Sequence, residues 1–501
     1  MRSLLAVLLT DVPSSLSTTN RSNHNEGLFS NKITGSKSRF APFCFQSRKS
    51  IILSNFLDCV LQRSYKTIVT PAQAGVLFKD AWIPACAGVS NGRNTRLRDA
   101  LLAAMGNAID EVRKWPQKEV RIFHHNDSDG LTSGAILTTA FKRAGFTVQR
   151  SCLEKPYPKL LHKIYDQAGG FIIFADFAGR IAPLLSDLNR SRNLTLILDH
   201  HVAEASSDPM VHNLDPDLFG LKGDRDISGS TTCYLFAKTL DASNCDLAHL
   251  ATIGAVGDEF FVDGCLAGEN RKAAREAVNQ GKLEIHKHET GERYYLNTLG
   301  GPVACDELGA YLDTLGAAGY YQNGPDMGIQ VCLEGACPES DEMLIKLQAI
   351  QNKAFENEIS KIQSEGLKKT ANIQWFHVEN RFAPMGVKMI GVFCDAIKNS
   401  EAVDKHRYVA GFQIVPNEIP GFGPIEFNEV KISMRVSAQI EAEIRANKKM
   451  GLDILLPEAT NKLGGFSDAC HSLTAATTVA IGKEEQLIEE MEKLLILKQA
   501  S

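Results

Sequence analysis

The chain has 501 residues, of which 44% are hydrophobic and 23% are charged. This is the composition of an ordinary globular protein, which excludes a collagen-like, coiled-coil or wholly disordered chain, and the length predicts two or three domains. The net charge of −5 argues against a broadly basic nucleic-acid coat. No apolar run approaches the roughly 18 residues that span a bilayer, and the twelve cysteines include no CxxC pair, so we expect a cytoplasmic protein without membrane contact.

The charge is unevenly distributed along the chain. Residues 1–104 carry 13 Lys and Arg against 5 Asp and Glu, a balance of +8, whereas the rest carries 41 against 54, a balance of −13. The stretch 70–88, TPAQAGVLFKDAWIPACAG, resembles the translation of an interspersed repeat element of bacterial genomes. We therefore expect 1–104 to be a disordered or spurious leader, with the working protein beginning near Met105. A genuine basic arm that binds nucleic acid is the alternative.

Regular patterns begin after about residue 97 and alternate between helix and strand. Short apolar runs such as FIIFA and LTLIL are typical of buried parallel strands, and apolar residues at helical spacing follow them. The predicted helices are 98–113, 132–144 and 246–256, and the predicted strands are 119–124, 171–175 and 194–198. This alternation indicates an α/β fold, with a doubly wound parallel-sheet domain over residues 105–285.

The second half of the chain predicts a connector and a smaller domain. Residues 286–370 are expected to be a helical connector, with short helices and loops before a long helix over 340–369. Three later stretches alternate like strands, GVKMIGVF, RYVAGFQIV and EVKISMRV, and 464–495 is typical of a Gly-rich turn followed by a helix. We predict a smaller α/β domain over residues 371–501.

Acidic residues and histidines follow four of these elements, as HHNDSDG at 124–130, Asp176, DHH at 199–201 and Asp258. The first motif alone is also an ordinary turn sequence. Because the carboxyl ends of parallel strands meet at one crevice, and converging carboxylates repel one another unless cations neutralise them, the pattern predicts a divalent metal site. Mixed carboxylate and imidazole ligands favour Mn²⁺ over Ca²⁺, and their number permits two metals that share a bridging carboxylate.

The order of these motifs, DxDG, Asp, DHH and Asp, resembles the DHH phosphoesterase superfamily over residues 118–501. That superfamily includes the single-strand-specific exonuclease RecJ, oligoribonuclease/pAp phosphatases, cyclic-dinucleotide phosphodiesterases and manganese pyrophosphatases. The resemblance implies that Asp127 binds one metal and Asp129 the other. It further implies that Asp176 bridges the two metals, and that His200 and Asp258 complete the coordination of the second.

The resemblance also implies roles for the neighbouring residues. His125 occupies a position that is Asp in RecJ-like members, and it is a candidate metal ligand with His124 as a competitor. His201 is expected to contact the scissile phosphate or to act as an acid towards the leaving group. Asp199 is expected to orient a histidine, with a purely structural role as the alternative.

Two further segments carry candidate substrate-binding residues. In SGSTT, Ser228 and Ser230 precede a helix, where family members have a similar segment that could hold phosphate; a plain helix cap is the alternative. Near the C-terminus, Arg435 in KISMRVSA matches a strand arginine that contacts substrate phosphate in the DHH-associated domain, with a surface salt bridge as the alternative.

The glycine pair Gly464-Gly465 lies where the DHH-associated domain has a GGH motif. Phe466 replaces the histidine of that motif, and two small residues follow later than usual, as though residues were inserted. His471 is therefore the candidate to take over the contact that the motif histidine makes.

Together the motifs and the resemblance predict a metal-dependent phosphodiesterase or exonuclease that acts on single-stranded nucleic acid or short oligonucleotides. Two Mn²⁺ ions, or Mg²⁺ instead, would activate a bridging water. The charge balance of −13 over residues 105–501 and the 7% aromatic content of the chain favour short substrates. A pAp, nanoRNA or cyclic-dinucleotide hydrolase is therefore the alternative. A pyrophosphatase and a catalytically inactive nucleotide-binding protein are further alternatives. The chain has no GxxxxGK[ST] loop, which disfavours P-loop ATP hydrolysis, and no motif identifies a protein partner.

Overall fold

Residues 92–500 are described by the computed structural model, so the repeat-like stretch 70–88 and most of the predicted leader lie outside the described residues. The described end of the leader belongs to a helix, α1 (Gly92–Lys114). Leu101 and Met105, four residues apart on one face, are completely buried, and Arg98 forms a 2.9 Å salt bridge with Glu269. The folded part of the chain therefore begins ahead of the predicted boundary at 104.

Five parallel strands form the central sheet in the order β2-β1-β3-β4-β5. They are β1 (Glu119–His124), β2 (Thr147–Cys152), β3 (Phe171–Ala175), β4 (Leu194–Leu198) and β5 (Val211–Asn213). β3 and β4 are buried along their whole length because helices cover both faces of the sheet. The strand order reverses between β1 and β3, and that switch point opens a crevice at the carboxyl ends of these strands.

The central sheet separates two apolar cores. Ile122 packs in one core and Phe123 in the other, because successive side chains of a strand point to opposite faces. The helices after α1 are α2 (Ser128–Arg143), α3 (Pro158–Ile164), α4 (Ala182–Asn189), α5 (Gly229–Leu240), α6 (Ala248–Gly257) and α7 (Gly268–Asn279). The doubly wound α/β fold is confirmed, and the three predicted strands have the predicted bounds. Within residues 92–500, none of the helices combines the length and the apolar character that crossing a membrane requires.

An antiparallel sheet stands where short helices and loops were expected. A small hairpin, β6 (Phe261–Val262) and β7 (Cys265–Leu266), precedes β8 (Leu283–His288), β9 (Gly291–Thr298) and β10 (Gly301–Ala304), which pair in the order β10-β9-β8. Most side chains of β8 are exposed, so its sequence LEIHKH lacks the apolar alternation that marks a half-buried strand. The helices α8 (Cys305–Asp313), a π-helix (Thr314–Ala318), α9 (Gly324–Glu334) and α10 (Pro338–Glu365) follow. α10 confirms the predicted long helix.

The second domain is built on a six-stranded sheet of order β11-β12-β13-β16-β18-β17. Its strands are β11 (Lys368–Lys369), β12 (Ile373–His377), β13 (Tyr408–Ile414), β16 (Glu429–Arg435), β17 (Phe466–Cys470) and β18 (Thr474–Ala480), with a separate hairpin of β14 (Glu418–Ile419) and β15 (Gly423–Pro424). Its helices are α11 (Met389–Ile397), α12 (Ala438–Arg445), α13 (Leu452–Lys462) and α14 (Glu484–Ala500). β13 and β16 confirm two of the predicted strands, and the 464–495 segment also contains the unpredicted hairpin β17–β18.

The prediction of a strand for GVKMIGVF was wrong, because this segment is a turn that leads into α11. One face of this helix is buried and carries Met389, Ile390, Phe393 and Ile397. The helix is so short that the spacing of its apolar residues does not distinguish the helical period from the alternation of a strand.

The two domains share one apolar core, and all described residues belong to one compact unit. Phe123 of β1 packs in the same cluster as Val415 and Phe427 of the second domain, and the ring centroids of Tyr157 and Phe427 lie 4.7 Å apart. Lys159 also donates a 3.1 Å hydrogen bond to the carbonyl oxygen of Phe427. The second domain is therefore packed tightly against the first.

Candidate metal centre

The turns after the strands carry the predicted acidic residues into the crevice at the switch point. Asp127 is the N-cap of α2, and its Oδ1 accepts a 2.9 Å hydrogen bond from the amide of Gly130. Asp129 lies in the first turn of α2 and is fully buried. Asp176 follows β3 directly with a positive φ of 67°, and Asp258 caps the C-terminal end of α6. Each carboxylate therefore has its position set by the end of a regular element.

The six residues predicted as metal ligands lie in two clusters, within each of which the ligand atoms are within 4.8 Å of one another. The clusters are His125, Asp127, Asp176 and Asp129, His200, Asp258. A third group of possible ligands overlaps both, because Asp199 and His201 lie equally close to Asp176 and His200. Nε2 of His200 also lies 3.3 Å from Oδ1 of Asp176, so Asp176 stands between the two clusters. The arrangement thus has the form of two adjacent cation sites with a shared carboxylate.

The histidines of the clusters have defined orientations. Nδ1 of His200 lies 2.5 Å from the carbonyl oxygen of Gly223 and donates a hydrogen bond to it. The other ring nitrogen, Nε2, is therefore the atom that can bind a metal ion. Nδ1 of His125 lies 2.8 Å from Oδ2 of Asp127. His124 is buried and points elsewhere, because its Nδ1 contacts the carbonyl oxygen of His125 and its ring packs against Gly134. Of the two competing histidines, His125 is the one in the crevice.

The electrostatics of the crevice indicate that it binds cations. Burial and the charges of Asp127 and Asp129 raise the pKa values of Asp176 and Asp258 well above their usual range. Asp258 is the exposed member of its cluster, so it lies on the solvent side of the crevice. Carboxylates packed this closely oppose one another's ionisation, and a divalent cation removes that repulsion. Oxygen and imidazole donors fit Mn²⁺ or Mg²⁺, so the residues present suit the predicted ions.

A hydrogen-bonded pair of residues lies beside the two clusters. Nδ1 of His201 lies 2.7 Å from Oδ1 of Asp199, whose Oδ2 accepts a 2.8 Å hydrogen bond from the amide of Gly179. Burial alone would raise the pKa of Asp199, but His201 and the amide hydrogen bonds hold it well below its usual range. Asp199 is therefore an ionised anchor that fixes the ring of His201 at the edge of the crevice.

Comparisons with known proteins agree with this architecture. A solved DHH domain, named as a member of a family of ribosomal proteins, matches 82% of this chain and 94% of its own, with 14% identity and a TM-score of 0.53. The chain has the DHH-domain fold. A manganese-bound structure of the exonuclease RecJ matches 78% of this chain and 94% of its own at 15% identity, but its TM-score of 0.49 is too low to support a conclusion.

The likeness in sequence is narrower than the likeness in fold. No protein-family model matches the chain. An uncharacterized protein of Methanocaldococcus jannaschii is 29% identical over 165 residues, which are 32% of this chain and 36% of the relative. The match therefore spans about a third of the length of that curated protein.

Within the DHH fold, the predicted phosphate-binding serines have a different role. Ser228 and Ser230 are fully buried, and Ser228 is the N-cap of α5. The amides of Gly229 and Ser230 donate hydrogen bonds of 2.7 and 3.0 Å to the carboxylate of Asp129, and the hydroxyl of Ser230 donates to the carbonyl oxygen of Ala251. The start of α5 holds a carboxylate of the crevice, and its hydroxyls are not free to bind phosphate.

The predicted glycine motif is also structural, whereas His471 lies at the crevice. Gly464 has a φ of 70°, and a Cβ on Gly465 would lie 2.3 Å from the carbonyl oxygen of Thr478, so both glycines shape the turn before β17. His471 follows the other end of β17. Its ring centroid lies 5.2 Å from that of His201. Burial, with the nearby charge of His201, lowers the pKa of His471 to about 3, so this histidine is neutral.

Arg435 forms the salt bridge that was the alternative to a substrate contact. Its Nε donates to Oδ2 of Asp395 at 2.6 Å, and Nη1 donates to the carbonyl oxygen of Met434. Within residues 92–500, Nη2 makes no hydrogen bond, so it can contact a substrate. The guanidinium is therefore fixed in position, with one nitrogen left over.

Sequence reasoning missed Glu154 and Lys388, which join the two domains at the crevice. The buried carboxylate of Glu154 accepts hydrogen bonds from the amides of Val387 and Lys388, at 3.0 and 2.9 Å. Nζ of Lys388 lies 2.6 Å from Oδ2 of Asp127. His125 and Lys388 outweigh the effect of burial and hold the pKa of Asp127 well below its usual range. The only sequence signal was an isolated lysine in a segment interpreted as a strand.

A second missed lysine, Lys431, is buried without a salt bridge to any described residue, and Glu154 is the acidic residue whose charge acts on it. It makes no hydrogen bond or salt bridge within the described part of the chain, and burial together with Lys155 lowers its pKa to about 7. Its register partners on the two adjacent strands are Gln413 and Thr478, whose Oε1 and Oγ1 are also buried without a hydrogen bond. Lys431, Gln413 and Thr478 thus form a row of polar side chains across the sheet, on the face opposite the core that contains Ile432.

Proposed function

We propose that the protein is a metal-dependent phosphodiesterase that releases nucleotides from single-stranded nucleic acid or short oligonucleotides. The observation that carries this proposal is the pair of adjacent cation clusters at the switch point of the DHH fold. One ion would be held by His125, Asp127 and Asp176, and the other by Asp129, His200 and Asp258, with Asp176 shared. Four carboxylates and two imidazoles are donors that Mn²⁺ or Mg²⁺ accepts.

The chemistry would follow from the charges around the crevice. Bound divalent ions lower the pKa of a shared water and neutralise the charge that develops on the phosphoryl oxygens. Nδ1 of His201 donates a hydrogen bond to Asp199, so Nε2 would be the atom that, when protonated, gives its proton to the leaving oxygen. Because Asp176 and Asp129 are buried while Asp127 and Asp258 keep accessible surface, the substrate would approach past the latter two.

The position of the second domain favours a substrate that enters the crevice by the end of a nucleic-acid strand over one that binds along the middle of the strand. It places His471 beside His201 and Lys388 on Asp127, so one side of the crevice is closed by protein. The −13 balance of residues 105–501 also disfavours a long positive groove for nucleic acid. The same two observations support the alternative, a small-nucleotide phosphoesterase that acts on pAp, nanoRNA or cyclic dinucleotides.

The test is hydrolysis in the presence of Mn²⁺. The full chain is incubated with end-labelled single strands of DNA and RNA of graded length, beside pAp and cyclic dinucleotides. We expect shortening of the strands by the wild type and by Asp187→Ala, an exposed control, and none by Asp176→Ala. Cleavage of the small nucleotides alone would establish the alternative. No Mn²⁺ binding and no cleavage would refute both and leave a non-catalytic nucleotide-binding protein.

A further inference from the structure

The backbone at Lys388 is fixed to the first domain independently of its side chain. Glu154 is 3% exposed, and its two oxygens accept the amides of Val387 and Lys388. The side-chain amide of Asn126 lies 3.4 Å from Oε1 of Glu154, and Asn126 directly precedes Asp127. Hydrogen bonds to a buried carboxylate are among the stronger ones in proteins. The base of the Lys388 side chain is thus held beside the turn that carries Asp127.

From this base, the side chain of Lys388 extends into the crevice. Its ammonium lies 2.6 Å from Oδ2 of Asp127, and Asp313 and Asp258 also face it. The side chain is 26% exposed, so the ammonium stands on the accessible side of the clusters. Without a metal ion, Lys388 is therefore the cation that neutralises Asp127.

The charge balance changes when both cation sites are filled. The four cluster carboxylates, Asp127, Asp129, Asp176 and Asp258, carry a formal charge of −4, which two divalent ions cancel completely. The ammonium of Lys388 then loses Asp127 as its direct charge partner, because Asp127 is engaged by a metal, and only the charge of Asp313, with which it forms no salt bridge, still acts on it. A phosphodiester brings a negative charge to the same place, and an ammonium is a common ligand for a phosphate oxygen.

We propose that Lys388 is a substrate-binding residue: its ammonium neutralises Asp127 in the metal-free protein and transfers to a non-bridging oxygen of the substrate phosphate once the metals are bound. This proposal rests on the proposed phosphodiesterase function. It gives the second domain a direct part in the reaction, because metal binding, phosphate binding and the placement of Lys388 become linked equilibria.

The test combines calorimetry with kinetics on Lys388→Met, Lys388→Arg and the exposed control Lys368→Met. In the absence of substrate, we expect Lys388→Met to bind Mn²⁺ more tightly than the wild type, by about 3–10-fold, because a competing cation has been removed. With Mn²⁺ bound, we expect its affinity for inorganic phosphate to fall about 10–100-fold, as loss of one charge-assisted hydrogen bond implies. In steady-state kinetics KM should rise by a similar factor, whereas Lys388→Arg and Lys368→Met should stay near the wild type.

The Mn²⁺ and phosphate affinities test the role of Lys388 whether or not the protein hydrolyses a substrate. Unchanged Mn²⁺ and phosphate affinities in Lys388→Met would overturn it, and so would weaker Mn²⁺ binding in a variant whose unfolding temperature matches the wild type. If Lys388→Met does not fold, Lys388→Arg becomes the deciding variant. It must then retain phosphate binding, and loss of that binding would overturn the proposal. If the wild type hydrolyses nothing, the proposed function fails, yet the Mn²⁺ titration still decides whether Lys388 competes for Asp127.

Discussion

Replacing the unpaired lysine of the second domain is expected to stabilise the protein in a pH-dependent way. In Lys431→Met a buried charge that forms no salt bridge within residues 92–500 is exchanged for an apolar side chain of similar length. The fall in the pKa of Lys431 from 10.5 to about 7 means that the folded state binds its proton less well than the unfolded state. The penalty is therefore absent above about pH 10.5, grows as the pH falls towards 7, and is constant below pH 7.

The size of this effect follows from the same numbers. A fall of about 3.5 in pKa corresponds to roughly 4–5 kcal/mol, of which about 4 kcal/mol is present at pH 7, where half of the lysine is charged. Glu154 loses the attraction of Lys431 in the variant, so we expect a net gain of roughly 2–4 kcal/mol in the free energy of unfolding at pH 7.

The assay is urea unfolding of the wild type, Lys431→Met and the exposed control Lys368→Met between pH 6 and pH 10. The difference between Lys431→Met and the wild type should be largest at pH 6–7 and should fall to below about 1 kcal/mol near pH 10. Lys368→Met should stay within about 0.5 kcal/mol of the wild type at every pH. A difference that does not depend on pH, or a destabilised Lys431→Met, would show that Lys431 is paired or hydrated and refute the reasoning.

Three further substitutions test the crevice and the domain contact. A Cβ in Gly229→Ala would lie 2.4 Å from Oδ1 of Asp176, so we expect Mn²⁺ affinity to fall at least about 10-fold by calorimetry. Asp199→Asn should lower kcat about 10–100-fold through misorientation of His201, with a smaller change in Mn²⁺ affinity. Glu154→Ala leaves two buried amides unpaired and should cost about 2–6 kcal/mol in urea unfolding.

Each substitution has a matched control in the described part of the chain. Gly106→Ala, in α1 with no atom near the added methyl group, should leave Mn²⁺ binding unchanged. Asp187→Asn and Glu379→Ala, both at exposed positions, should leave activity and stability near the wild type. Equal effects in a control and its partner, or an Asp199→Asn enzyme with normal kcat, would contradict the roles assigned to these residues.

The strands that carry the site could be predicted from sequence because their signal is local. FIIFA and LTLIL contain no charged residue, as befits strands covered on both faces, and each is followed at once by a charged residue at the sheet edge. The positions of Asp176 and Asp199 follow from that pattern. The division of the metal ligands into two clusters does not follow from it, because that division depends on the turn geometry at Asp176 and on the amides at the start of α5 that hold Asp129.

The contribution of the second domain could not be predicted, because its signal is not local. Lys388 meets a carboxylate 261 positions earlier in the chain, and nothing in GVKMIGVF distinguishes a residue that lines a crevice from an ordinary surface lysine. His471 was identified through a family motif that the chain only partly retains, whereas the glycines of that motif serve the turn. Residues that act across a domain contact depend on the packing of both domains.

The apolar core shared by the two domains limits how a substrate can reach the crevice. Phe123 of the central sheet is packed together with Val415 and Phe427 of the second domain. Swinging that domain away would expose these side chains to water, at about 25 cal/mol for each Å² of apolar surface. A wide hinge opening is thus unfavourable, and a strand would have to be threaded in by its end, past Asp127 and Asp258. For the proposed phosphodiesterase, access of this kind would favour processive digestion, in which the strand is fed inwards and not released between cuts.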